Sequence, residues 1–165
     1  MAPEIGIAQL GEDLFVRGTL RAPFTNKSFL KLPAPEIKGV GIDIVSIPQI
    51  AQLTERYDRH TLMLLFTAGE MDRCQSDPKR DRAFAICFAA KEAIGKALGT
   101  GLVDIAWDEI EAVLIQDQLT VELYGEADSQ AKQNGIETWI ATWCEWDQHI
   151  LVHILGLAAL RLKGK

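Results

Sequence analysis

The sequence is poor in cysteine: Cys74, Cys87 and Cys144 are an odd number at wide spacings, with no Cys-x-x-Cys pair. That excludes a zinc knuckle or a dithiol redox motif and predicts reduced, mostly structural thiols. Long apolar runs are missing too, since no uninterrupted stretch approaches the roughly 20 residues of a membrane helix. The N-terminus lacks the basic and apolar regions of a signal peptide. A cytoplasmic protein with no membrane partner is the expectation. Positive charge is in deficit, with 17 Lys and Arg against 23 Asp and Glu, for a net charge of −6. A general nucleic-acid binder carries a basic surface, so no nucleic-acid partner is expected. An acidic protein partner would have to dock on a local basic patch against the global charge. Neither an internal repeat nor a low-complexity segment is present.

What remains is a 165-residue chain, 48% hydrophobic and 24% charged, of ordinary globular composition. Residues 1–38 are set apart by Pro3, Pro23, Pro33 and Pro35, and only Asp13 to Leu20 has the pattern of a strand there. They form an N-terminal extension or arm, and residues 39–165 form the domain. Val40, Ile42, Ile44 and Val45 predict a strand carrying Asp43, with Pro48 in the first turn of a helix over Ile50 to Tyr57. Thr67-Ala68-Gly69-Glu70 has the spacing of a capping box. After Asp77-Pro78, the positions Phe84, Cys87, Phe88, Lys91, Ile94 and Leu98 predict a helix from about Lys79, ended by Gly99-Thr100-Gly101. Glu109 to Ile115 and Leu119 to Tyr124 predict strands around a turn at Asp117-Gln118, followed by a helix over Gly125 to Asn134. Ile136 to Trp146 and His149 to Leu155 predict a second strand pair around Asp147-Gln148. The fold class is α+β, a small antiparallel sheet packed against helices.

Two features carry chemistry. Phe88, Glu92 and Lys96 share one side of a helix, so a carboxylate and an amine stand together. Asp43 interrupts a strand of buried-type residues, which is costly unless the carboxylate is paired or metal-bound. By spacing alone, Glu92 and Lys96 also fit a solvated helix pair, and Asp43 a turn or cap. Glu70 fits the capping box or a third acid near a metal. His149 and His153, four apart on one strand face, suit packed or exposed positions better than a metal pair. Of Trp139, Trp143 and Trp146, at least two are expected in the core rather than in a base-stacking platform.

Together, Gly41-Ile42-Asp43-Ile44-Val45 and Phe88-Ala89-Ala90-Lys91-Glu92-Ala93-Ile94-Gly95-Lys96-Ala97-Leu98-Gly99-Thr100-Gly101 resemble the two motifs of the holo-[acyl-carrier-protein] synthase type of 4′-phosphopantetheinyl transferase. The resemblance runs from about Val40 to Leu157 and includes Phe66-Thr67 and Glu70. It implies the 4′-phosphopantetheinyl transferase-like fold and Mg²⁺-dependent transfer of 4′-phosphopantetheine from coenzyme A, the co-substrate, to a serine of an acyl or peptidyl carrier protein. Asp43 and Glu92 would be the metal ligands, both hard oxygen donors of the kind Mg²⁺ takes alongside substrate phosphate. Glu92 and Lys96 would be catalytic, with Lys96 neutralising phosphate charge. Lys91, Lys96, Gly99 and Gly101 would contact coenzyme A. The base would be Glu92 or a metal-bound water. A homotrimer with sites between subunits is implied as well.

The sequence departs from the family pattern in three places. Gln49-Ile50 stands where members usually have Arg-Ile, Asp117-Gln118-Leu119 replaces a Gly-Lys-Pro turn, and Trp143-Cys144 replaces a Ser-His pair. Arg56, Arg59, Lys79, Arg80 and Arg82 are candidates for a rebuilt basic docking surface. Two other readings stand beside the enzyme: a non-catalytic homologue that binds a carrier protein or coenzyme A, and a domain serving a larger synthase.

Overall fold

A computed structural model describes residues 35–159 and the backbone of two strands nearer the N-terminus, β1 (Gly6–Leu10) and β2 (Asp13–Arg17). The chain divides into two units, Met1–Pro33 and Ala34–Lys165. In the first, β1 and β2 form an antiparallel hairpin with Gly6 opposite Arg17. The strand expected over Asp13 to Leu20 is present as β2, residues 18–20 lying outside the described residues. Its partner β1 was not expected.

The second unit runs β3 (Ile37–Ser46), α1 (Ile47–Arg56), α2 (Arg59–Leu62), α3 (Ala68–Ser76) and α4 (Arg80–Leu98). A short 3-10 turn at Trp107–Glu109 leads to β4 (Ile110–Ile115), β5 (Gln118–Leu123), α5 (Gly125–Gln133), β6 (Thr138–Trp146) and β7 (His149–Leu157). Strands β3, β7 and β6 form an antiparallel sheet in that order, and β4 and β5 form a separate hairpin. This is the expected α+β architecture of a small antiparallel sheet packed against helices.

Local chemistry explains the boundaries. Pro48 opens α1, where its missing N–H has no intrahelical acceptor to lose. The capping box of α3 is complete: the Glu70 N–H donates to Thr67 Oγ1 at 3.1 Å, and the Thr67 N–H donates to Glu70 Oε2 at 2.8 Å. Gly99 ends α4 at φ 84°, the left-handed conformation a glycine adopts without penalty. The β4–β5 and β6–β7 hairpins each turn through two residues of positive φ, Gln116-Asp117 and Asp147-Gln148, the primed geometry that matches strand twist. The first turn lies one residue earlier than expected, because Gln118 already pairs with Ile115.

The core lies between α4 and the inner face of the three-stranded sheet, where Ile150, Val152 and Ile154 of β7 are fully buried. From Ala83 to Leu98 every position of α4 is buried except Phe88, Glu92 and Lys96. A helix buried nearly all round is a central helix, and its single open stripe follows the i, i+4 line predicted to carry the chemistry. Close approach of β3 to α4 depends on Gly39 and Gly41, whose added Cβ atoms would overlap the carbonyls of Ala97 and Ala93. Trp139 and Trp143 pack against the core, whereas Trp146 is 44% exposed.

Candidate functional site

Alternation along β3 turns Gly41, Asp43 and Val45 toward α4 and leaves Val40, Ile42 and Ile44 outside. Asp43 thereby meets the open stripe of α4. Lys96 Nζ lies 2.7 Å from Asp43 Oδ1 and donates a second hydrogen bond to the Ile42 carbonyl at 3.0 Å. Asp43 Oδ2 is buried and has no hydrogen-bond partner. Such an atom costs free energy unless something else comes to it.

Glu92 shares this corner. Burial raises its carboxyl above the ordinary value, the negative charge of Asp43 raises it further, and Lys96 opposes both. Two acids pushed together and partly dehydrated, one with an orphaned oxygen, form a donor set suited to a hard divalent cation with phosphate oxygens completing the shell. Among the described residues no group of three or more His, Cys, Asp or Glu side chains is arranged for a metal ion. Any cation held here would therefore rest on two protein carboxylates. Phe88, the third member of the stripe, packs against Trp107 with ring centroids 5.0 Å apart and planes inclined by 37°.

The Gly-Thr-Gly turn follows directly. Gly99 and Gly101 have φ of 84° and 64°, with open space where a Cβ would be. The turn is tied to α5: the Thr100 hydroxyl donates to Gln130 Oε1 and Asn134 Nδ2 donates to the Leu98 carbonyl, each at 2.9 Å.

Lys91 is placed elsewhere. Its side chain is fully buried, 2.8 Å from the equally buried Glu70 Oε2, and it donates to the Trp107 carbonyl at 2.7 Å. Glu70 also accepts from the Ala112 N–H at 2.7 Å, so one carboxylate joins α3, α4 and β4. Burial raises the Glu70 carboxyl, outweighing the nearby ammonium and the hydrogen bonds that lower it. The structure thus brings Asp43, Glu92 and Lys96 together and separates Lys91 and Glu70 from them. A signal for this was present in the sequence, because Lys91 sits on the apolar line of Phe84, Cys87 and Leu98.

Most of the candidate docking cations are neutralised. Arg59 pairs with Asp72, Arg80 with Asp81 and Arg82 with Asp117. Asp117, Gln118, Leu119 and Trp143, all at or beside positions that depart from the family pattern, line one cleft of about 540 Å³. Arg82 reaches two of these residues, its guanidinium 5.1 Å from the Trp143 ring centroid and 2.9 Å from Asp117 Oδ1. Trp143 Nε1 donates to the Asp117 carbonyl at 2.9 Å. Cys74 and Cys87 are buried free thiols with sulfurs 3.6 Å apart, and Cys144 is exposed.

A family model described as the 4′-phosphopantetheinyl transferase superfamily matches residues 39–145. The chain is 41% identical over 75 residues to a holo-[acyl-carrier-protein] synthase of Desulforudis audaxviator, 46% of this chain and 57% of that one. Against the first three such relatives the match spans 57%, 61% and 60% of their length. The fold is similar to that of the holo-[acyl-carrier-protein] synthase of Neisseria meningitidis, at TM-score 0.63 and 26% identity over 73% of this chain and 98% of that one. The Helicobacter pylori holo-[acyl-carrier-protein] synthase, solved in complex with coenzyme A, superposes at TM-score 0.60 and 22% identity over 72% and 99%. Among the described residues no helix is long and apolar enough to cross a membrane.

Proposed function

The chain belongs to the 4′-phosphopantetheinyl transferase superfamily, and on that premise we propose that it transfers 4′-phosphopantetheine from coenzyme A to a serine of a carrier protein. The observation that carries this reading is the meeting of Asp43, with its unpartnered Oδ2, and the Glu92–Lys96 stripe of α4. Asp43 and Glu92 would hold Mg²⁺, which when bound supplies positive charge against the coenzyme A diphosphate. Lys96 sits one helical turn beyond Glu92 and neutralises phosphate charge as the anhydride breaks. Gly99 and Gly101 let backbone approach the phosphates without a side chain between. The serine Oγ bonds to the phosphorus that bears pantetheine, the anhydride P–O bond breaks, and adenosine 3′,5′-bisphosphate leaves with the electron pair. The serine proton would pass to Glu92 or to a water held in the same corner.

The unit of function in this reading is a homotrimer. The sheet face away from α4 carries Val40, Ile42 and Ile44, exposed to 51%, 48% and 53%. In register beside them lie Leu155, His153 and Leu151 of β7, then Ile140, Thr142 and Cys144 of β6. An apolar sheet face of this extent supports burial against further copies of the chain. Sites between subunits would leave a monomer inactive.

Intact-mass spectrometry of several apo carrier proteins, incubated with this protein, coenzyme A and Mg²⁺ beside a metal-free control, tests the proposal. A Mg²⁺-dependent gain of one phosphopantetheine establishes the activity and names an acceptor. No gain on any carrier, with coenzyme A binding retained, points instead to a non-catalytic binding module.

A further inference from the structure

Lys96 is committed to Asp43. Its ammonium holds Oδ1 at 2.7 Å and the Ile42 carbonyl at 3.0 Å, so it is fixed at two points on β3. The pair is asymmetric in burial: the Lys96 side chain is 49% exposed, the Asp43 side chain 13%. Asp43 therefore depends on Lys96 for charge compensation, while Lys96 can leave for water or another anion at little cost. Oδ2, buried and unpartnered, is the only Asp43 oxygen left for a second cation. A divalent ion arriving there meets an ammonium already bound to the same carboxylate, and like charges a few ångströms apart in a half-buried corner oppose each other.

We propose that Lys96 is a specificity-determining residue that makes the Asp43–Glu92 site refuse a free divalent cation and accept one delivered with a diphosphate. When the anion arrives it offers Lys96 a second partner, the ammonium shifts from Asp43 toward phosphate, and both carboxylates turn to the cation. Cation and diphosphate then bind with positive coupling, and by linkage each raises the affinity of the other by the same factor. The inference rests on the transferase reading for the identity of the site, but it concerns binding and can be measured without any carrier protein.

The test is Mn²⁺ binding, followed by the free-ion electron paramagnetic resonance signal, in the intact protein with and without coenzyme A. Wild type is expected to bind free Mn²⁺ weakly and to gain at least about tenfold when coenzyme A is added. Lys96→Met leaves Asp43 and Glu92 uncompensated, so it should bind free Mn²⁺ about tenfold more tightly than wild type and lose most of the coupling to coenzyme A. Lys96→Arg, which keeps the charge, should resemble wild type in the absence of coenzyme A. Because Lys96 is half exposed, these variants are expected to fold, and circular dichroism confirms it. If Lys96→Met binds free Mn²⁺ no better than wild type while Asp43→Asn abolishes binding, the cation site stands and the proposed role of Lys96 is overturned. If Asp43→Asn leaves Mn²⁺ binding unchanged in every background, the cation site itself is wrong, and this inference falls with it.

Discussion

Lys91 Nζ lies 2.8 Å from Glu70 Oε2, and neither side chain is exposed to solvent. Adjacent residues of α4 thus do opposite work: Lys91 anchors the helix to α3 and β4, and Glu92 faces the candidate site. Removing one member of a buried pair leaves an uncompensated charge, typically at a cost of about 3–5 kcal/mol. Lys91→Met is expected to lower stability by about that much in urea unfolding. Glu70→Gln combined with Lys91→Met should recover part of it, since no charge is then left buried alone, although the one amide oxygen can accept from only one of the Thr67 and Ala112 N–H groups. If the double variant, once folded, transfers phosphopantetheine at the wild-type rate, Lys91 is an anchor; a raised KM for coenzyme A would instead restore it as a phosphate contact.

Glu92 predicts an opposition between stability and activity. Its carboxyl is raised by burial and by Asp43, from an ordinary value of 4.5. A carboxyl raised on folding binds its proton more tightly in the folded state, so its contribution is favourable below 4.5 and is lost as pH rises through the folded value. Glu92→Gln should therefore melt above wild type at pH 7 in the presence of a chelator. That advantage should vanish below the ordinary value, where both side chains are neutral. The same variant should show no Mg²⁺-dependent transfer. Full transfer by Glu92→Gln would remove Glu92 from both its proposed roles.

How much was legible in the sequence follows from which interactions are local. Helix α4 and its stripe were, because periodicity records which side of a helix is buried, and Asp43 stood out as a carboxylate in an apolar strand. The Thr67–Glu70 capping box was visible because all its atoms lie within one turn. The destination of Lys91 was not, since its partner is twenty-one residues away and only the tertiary packing of α3 on α4 selects it. The same holds for Arg59 and Arg82: a row of basic residues suggested a docking surface, and folding supplied Asp72 and Asp117 as their partners, whereas Arg80 pairs with its sequence neighbour Asp81. The position of the first hairpin turn was displaced by one residue because register, not composition, decides which two residues take positive φ.

The apolar outer face of the sheet gives a third prediction. Ile42 is 48% exposed at the middle of β3, in register with His153 and Thr142. Ile42→Lys places a charge at the centre of the proposed subunit contact without disturbing the inner face, which is occupied by its neighbours Gly41 and Asp43. Light scattering after size exclusion should show a trimer for wild type and a monomer for the variant. Transfer should be lost with the trimer if sites are composite, while circular dichroism stays unchanged. A wild-type monomer would remove the trimer from the functional reading.

Two glycines near the site separate strain from position. Gly99 has φ 84° with open space around it, so Gly99→Ala meets only backbone strain, about 1 kcal/mol. Gly41 has no positive φ; its added Cβ would instead overlap the Ala93 carbonyl, a backbone atom that cannot rotate away. Gly41→Ala must push β3 from α4, an overpacking cost of about 1–3 kcal/mol. Because Asp43 lies two residues along the same strand face, that displacement carries its carboxylate away from Glu92 and Lys96. The expected outcome is that Gly99→Ala loses a little stability and keeps its affinity for free Mn²⁺. Gly41→Ala, measured at a temperature where it remains folded, should lose Mn²⁺ binding and transfer together. Equal behaviour of the two variants would mean that the site does not depend on the β3–α4 approach, and the pairing of Asp43 with the α4 stripe would then no longer explain it.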